Sequence, residues 1–146
     1  MNLIGQIRNP LDQFTAIERA RAWAARHGLT VYKVGYKACH SGPYLELHFV
    51  TPQVAARYTG QMAQLSAEIG MPVTYATEPK PNAMSQMLAS ILPPSWNVSK
   101  SYSLHKDAGQ FVIRAFAAAT IPRQEIEEVG RRFAEMTGYS LAVREA

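Results

Sequence analysis

The chain of 146 residues has one cysteine, Cys39, so no internal disulfide can staple it, and that usage fits a reducing, cytoplasmic setting. No apolar run approaches the roughly 20 residues that cross a bilayer, and the mean hydropathy is −0.15. Met1 to Pro10 carry one arginine and no long apolar stretch before a small-residue cleavage site, so neither a transmembrane helix nor a secretory leader is expected. Aspartate occurs only as Asp12 and Asp107, each without a second carboxylate close by, which argues against a two-metal hydrolytic centre. The glycine-rich loops that cradle phosphates, Gly-x-Gly-x-x-Gly and Gly-Lys-Ser/Thr, do not occur, and with them goes the simplest route to a nucleotide cofactor.

The chemistry-bearing side chains that are present do not assemble in sequence either. Cys39, His40 and His48 bracket one hairpin, but zinc sites announce themselves through two paired ligand clusters, and His27 and His105 stand alone. Cys39 and His40 are neighbours, which on a strand point to opposite faces and make no nucleophile–base pair. Glu125, Glu127 and Glu128 look like a carboxylate cluster. The simpler reading is a helix N-terminus that favours acids, with Glu127–Arg131 and Glu128–Arg132 as pairs on its solvent face. No metal, no cofactor and no catalytic residue are therefore expected.

A 47% hydrophobic composition supports a real core. The formal charge of +4 and a pI near 9.4 favour polyanionic partners. Residues 1–70 hold seven Lys/Arg against four Asp/Glu, and residues 71–146 eight against seven; this bias points to the first half as the binding half.

Hydrophobic periodicity and punctuation give an α+β organisation. Asn9-Pro10 and Gly28 frame a helix with Phe14, Ile17, Ala20 and Ala24 on its apolar face and Trp23 toward the edge. Leu29 to Lys37 and Tyr44 to Val50 alternate around the turn Ser41-Gly42-Pro43 and predict a hairpin. Thr51-Pro52 opens a helix running to Gly70, with stripe Val54, Tyr58, Met62, Leu65 and Ile69, and Met71 to Thr77 reads as a strand. Past Glu78-Pro79-Lys80-Pro81 the order restarts. Met84, Met87, Leu88 and Ile91 make a helix ended by Pro93-Pro94, and Trp96 to Leu104 and Phe111 to Ala117 predict strands. Pro122 starts a helix that Gly138 ends, and Tyr139 to Val143 closes the chain. The helix-strand-strand-helix-strand unit thus occurs twice, in tandem, which divides the chain into residues 1–78 and 79–146. Leu29-Thr30-Val31 falls on Trp96-Asn97-Val98 at an offset of 67, and Leu45, Leu47 and Phe49 fall on Ile113, Ala115 and Ala117 at 68. Lys33 then falls on Lys100. A second cut reads residues 71–146 alone as strand-helix-strand-strand-helix-strand, the ferredoxin-like order, and a short strand at Asn2 to Ile7 gives the first half the same form. Either cut places helices on one face of an antiparallel sheet and leaves the other face free to bind.

The tandem order resembles type II KH-like modules, which bind single-stranded RNA or DNA. It resembles them in topology alone: the Gly-x-x-Gly loop that clamps the nucleic-acid backbone is absent, because Gly60 and Gly130 stand singly within helical stretches. The RNA-recognition signature of clustered aromatics on a central strand is absent too.

The outward sheet positions are the candidate interface, since cations with interleaved aromatics neutralise phosphates and stack bases. With Leu45, Leu47 and Phe49 facing the helices, Tyr44, Glu46 and His48 face out. Lys33 and Lys37 share a face. Lys100 and Tyr102 in one strand, and Arg114 and Phe116 in another, form the equivalent set, and Arg19 with Arg26 flanks it from the first helix. Glu46 in the middle of this patch opposes a polyanion lying across it. The sequence therefore predicts a non-catalytic, cytoplasmic nucleic-acid-binding module. The alternative is a protein-interaction or homo-oligomerisation module, with Tyr32, Tyr36 and Tyr44 as anchors.

Overall fold

The computed structural model describes residues 2–146. The chain forms two compact units, the first ending at Pro79 and the second spanning Lys80–Ala146. The first comprises α1 (Gln13–Arg26), β1 (Lys33–Cys39), β2 (Gly42–His48), α2 (Pro52–Ala55), α3 (Thr59–Ile69) and β3 (Val73–Tyr75). The second comprises α4 (Pro81–Ala89), β4 (Val98–His105), β5 (Gln110–Ala115), α5 (Arg123–Thr137) and β6 (Ser140–Glu145). No described helix is long and apolar enough to cross a membrane.

Each unit holds its own three-stranded sheet, in the orders β1-β2-β3 and β4-β5-β6. Both sheets are mixed rather than antiparallel. The hairpins pair antiparallel, whereas β3 runs parallel to β2 and β6 parallel to β5. The cause is connectivity. A two-residue turn at His40-Ser41 reverses the chain, but the connection from β2 to β3 passes through a helix and returns the third strand in the original direction. The ferredoxin-like cut is also overturned, because β3 pairs within the first sheet. The segment expected as a strand at Asn2 to Ile7 makes only an isolated antiparallel bridge, Ile4 with Val73.

Helix α1 starts later than Asn9-Pro10 suggested. Arg8 donates its backbone N–H to the Gly70 carbonyl at 2.8 Å, and Leu11 donates to that of Ile69 at 2.9 Å. The chain before α1 is thereby tied to the end of α3, and Asn9 sits at φ 53°. Asp12 caps the helix instead, accepting from the Thr15 N–H at 3.1 Å and the Thr15 hydroxyl at 2.7 Å. The buried face is correspondingly rotated: Ala16, Ala20, Trp23 and Ala24 are buried, while Phe14 is 74% exposed. Small alanines let α1 approach the sheet, and Trp23 fills the space beyond them. With Val34, Leu45, Leu47, Met62, Leu65, Ile69 and Val73 they make the core of the first unit. Burial of each such large side chain contributes about 1.5 to 3 kcal/mol.

The long helix expected from Thr51 to Gly70 is broken. Thr51 caps α2 through its hydroxyl, which accepts from the Val54 N–H at 3.1 Å. A turn of 3-10 helix at Ala56–Tyr58 then separates α2 from α3. Tyr58 leaves the helical region at φ −117° and ψ 22°, and its ring stacks on Phe49 with centroids 6.1 Å apart. Gly70 ends α3 at φ 74°. It does so where Arg8 and Asn9 cross so closely that a Cβ would stand 2.4 Å from the Arg8 carbonyl oxygen.

In the second unit Tyr102 stacks on Phe111 at 4.9 Å, and Phe111 packs against Phe133 of α5 at 5.3 Å. On the surface of α5 the ion pairs fall one step away from those expected: Arg131 bonds Glu128 and Glu135, and Arg123 bonds Glu127.

Candidate functional site

Pairing and burial together assign the faces of the first sheet. Val34, Leu45, Leu47 and Val73 are buried toward the helices, so by alternation Lys33, Lys37, Tyr44, Glu46, His48 and Thr74 lie on the opposite side. On that side Glu46 is the hub: Lys37 Nζ lies 3.3 Å and His48 Nε2 2.9 Å from the same Glu46 oxygen. Lys33, exposed, stands opposite His48 in register. Tyr44 is 8% exposed, so its ring is not offered to solvent. A cleft of about 390 Å³ beside Glu46 is lined by Asn2, Thr74, Tyr75 and Thr77; its walls carry hydroxyls and one carboxylate.

Arg19 and Arg26 do not reach the sheet. From α1 they donate to the two carboxylate oxygens of Glu68 on α3, at 3.5 and 3.3 Å. With more than half of each guanidinium side chain exposed, these pairs are worth at most about 1 kcal/mol apiece. They nevertheless place a carboxylate beside both cations.

The second sheet separates residues that the sequence grouped. Tyr102 is the partner of Ile113 and faces the helices, with its hydroxyl 3.4 Å from Asn82 Oδ1 on α4. Lys100 lies where the pairing of β4 slips between Val98 and Tyr102. It lines a groove of about 200 Å³ with Ser85, Leu88 and Leu92. The register also undoes the Lys33–Lys100 equivalence. Leu45 pairs with Val73 and Phe111 with Leu141, so Leu45 matches Phe111, an offset of 66 rather than 68. Val34 matches Tyr102, leaving Lys100 out of step with Lys33. The β1–β2 hairpin runs two residue pairs further before its turn than the β4–β5 hairpin, which is where the offset changes.

Arg114 lies on the opposite face from Tyr102, and there the structure adds a residue that sequence reasoning missed. Arg144 of β6 is its partner in register, so two arginines occupy matching positions on the same face of adjacent parallel strands. Both are exposed. Arg114 Nη1 donates to the backbone carbonyl of Glu145 at 3.3 Å, and among the described residues neither arginine has an ion pair with a carboxylate. Like charges on neighbouring strands of one sheet face repel rather than stabilise the sheet. The clue in the sequence was the alternation of Ser140, Ala142 and Arg144 against Leu141 and Val143, but the closing strand was expected to stop at Val143.

Beyond Arg114 the chain reverses sharply. Ala117 adopts φ 55°, a left-handed conformation that costs a non-glycine residue about 1 to 2 kcal/mol. It is held by Glu145, whose carboxylate accepts from the N–H groups of Ala117 at 2.9 Å and Ala118 at 3.1 Å. Phe116, immediately before, donates its N–H to the Asn97 carbonyl at 2.9 Å, and its side chain is 55% exposed.

No three His, Cys, Asp or Glu among the described residues come together to hold a metal. The carboxylates with displaced pKa values stand at the N-cap of α1 and on α5, not on a strand. The Thr15 hydroxyl and N–H hold Asp12 below the usual carboxylate range, and the Arg131 guanidinium does the same to Glu128.

No protein-family model and no curated protein matches the chain. Among solved structures, one titled "Crystal structure of APE1850" is similar over 91% of this chain and 100% of its own, at 12% identity and a TM-score of 0.35.

Proposed function

We propose that the chain is a non-catalytic module that binds single-stranded nucleic acid, a KH-like unit used twice without the Gly-x-x-Gly clamp, working in the cytoplasm. The observation that carries this reading is the register pair Arg114–Arg144: two exposed arginines with no ion pair to a carboxylate among the described residues, on a chain of net charge +4. Planar guanidiniums bind phosphate oxygens bidentately and stay charged at any physiological pH. Lys33 and Lys100, exposed and likewise without an ion pair among the described residues, add a diffuse positive field. The repeated element order supports the same reading, as the organisation shared with type II KH modules.

Binding of random single strands measured over a salt series tests this. For a site neutralising two or more phosphates, log affinity falls with log salt by about 0.7 per phosphate, a slope of at least roughly 1.4. Absence of binding at low salt, together with a salt-insensitive dimer in light scattering, would instead favour the assembly reading.

A further inference from the structure

We infer that Phe116 is a base-stacking platform beside the Arg114–Arg144 phosphate site, so that the ligand of the second unit is a strand whose bases are unpaired and splayed rather than a duplex. The inference rests on the nucleic-acid reading and adds the chemical class of ligand to it.

Three observations converge. Phe116 lies just past the end of β5, two residues after Arg114 with the fully buried Ala115 between them; its N–H still bonds the Asn97 carbonyl beside β4, so the alternation of the ladder reaches Phe116 and turns it to the side of Arg114. Phe116 is more than half exposed, in a unit where Trp96, Phe111 and Phe133 are buried. Its backbone is fixed on both sides, by the Asn97 carbonyl at its own N–H and by the Glu145 carboxylate on the next two N–H groups. A single exposed apolar residue is ordinary. An exposed aromatic whose backbone is hydrogen-bonded on both sides, directly before a left-handed residue and two residues from an arginine with no ion pair among the described residues, is a pre-organised surface for a planar group that carries an anion. A nucleotide is that group: the phosphate meets the guanidiniums, and the base lies on the ring. Every base has a π-face, so the site tolerates sequence. Bases inside a duplex are already stacked on one another, which is why paired strands would engage only the arginines.

The test uses the full chain and a short DNA single strand carrying a fluorescent aminopurine, whose emission is quenched when it stacks. The expected result is quenching by the unmodified protein. Phe116→Ala is expected to lose the quenching and roughly 5- to 150-fold in affinity, the range measured for one base–aromatic stack. Phe116→Trp is expected to restore both, and a duplex of the same length to compete poorly. Because Phe116 is exposed, these variants should fold, which circular dichroism checks. Unchanged affinity and quenching in Phe116→Ala, with binding still lost in Arg114→Gln/Arg144→Gln, would overturn the stacking platform while leaving the phosphate site standing. No binding by the unmodified protein would overturn both.

Discussion

The two sheets share an architecture and differ in how they dispose of charge. On the open side of the first, Glu46 lies within 3.3 Å of both Lys37 and His48, and behind it Glu68 binds Arg19 and Arg26. On the second, Arg114 and Arg144 are partners in register and neither has an ion pair with a carboxylate among the described residues. Counting lysines and arginines placed the binding surface in the first half, where the excess lies. On the proposed reading the site lies on the second sheet instead, because the field of a cation beside a carboxylate is largely cancelled by its partner, while that of an unpaired cation is not.

The units also differ in how closely a left-handed glycine is packed, and that difference can be broken by substitution. At the end of α3, Gly70 combines φ 74° with backbone of the N-terminal segment 2.4 Å from where a Cβ would go. At the turn into β5, Gly109 has φ 59° and nothing within 4 Å. Gly70→Ala should therefore cost about 3 kcal/mol or more, strain plus a clash that no side-chain rotation relieves. Gly109→Ala should cost only about 1 kcal/mol. Urea denaturation of both variants checks this, and equal losses would mean that the N-terminal segment does not restrain the first unit.

A smaller effect separates the helix starts. Asp12 caps α1 with its pKa held below the ordinary 3.8, first by the Thr15 hydroxyl and then by the Thr15 N–H, whereas α5 has no side-chain cap. Its folded pKa lies below its unfolded one, so the carboxylate stabilises the fold above the unfolded value. That contribution disappears as pH falls through the folded value. Asp12→Asn, which retains a capping oxygen, should flatten this acid-side dependence in thermal melts. A profile identical to that of the unmodified chain would remove the cap from the account.

The order of elements was legible in the sequence because it rests on local signals: Thr51-Pro52, Gly70 and Gly138 mark helix ends, and Leu45 with Leu47 alternates as a buried strand must. The direction of β3 and β6 was not, since composition cannot distinguish a returning strand from a reversing one. The face of α1 was misjudged because the restraint on Arg8 and Leu11 comes from α3, far along the chain. For the candidate site, Arg114 and Phe116 were visible as an alternating pair. Arg144 was not, because its place beside Arg114 depends on a register that no local pattern encodes. Lys33 and Lys100 were matched by an offset that the pairing of the strands does not keep.

The most direct test removes the same net charge from two places. Arg114→Gln/Arg144→Gln and Arg19→Gln/Arg26→Gln each lower the charge by two. Single-strand affinity measured over a salt series should fall roughly tenfold for the first, with the slope reduced by about 1.4, and change less than about threefold for the second. Equal losses in the two variants, or a larger loss in the α1 variant, would contradict the placement of the site on the second sheet.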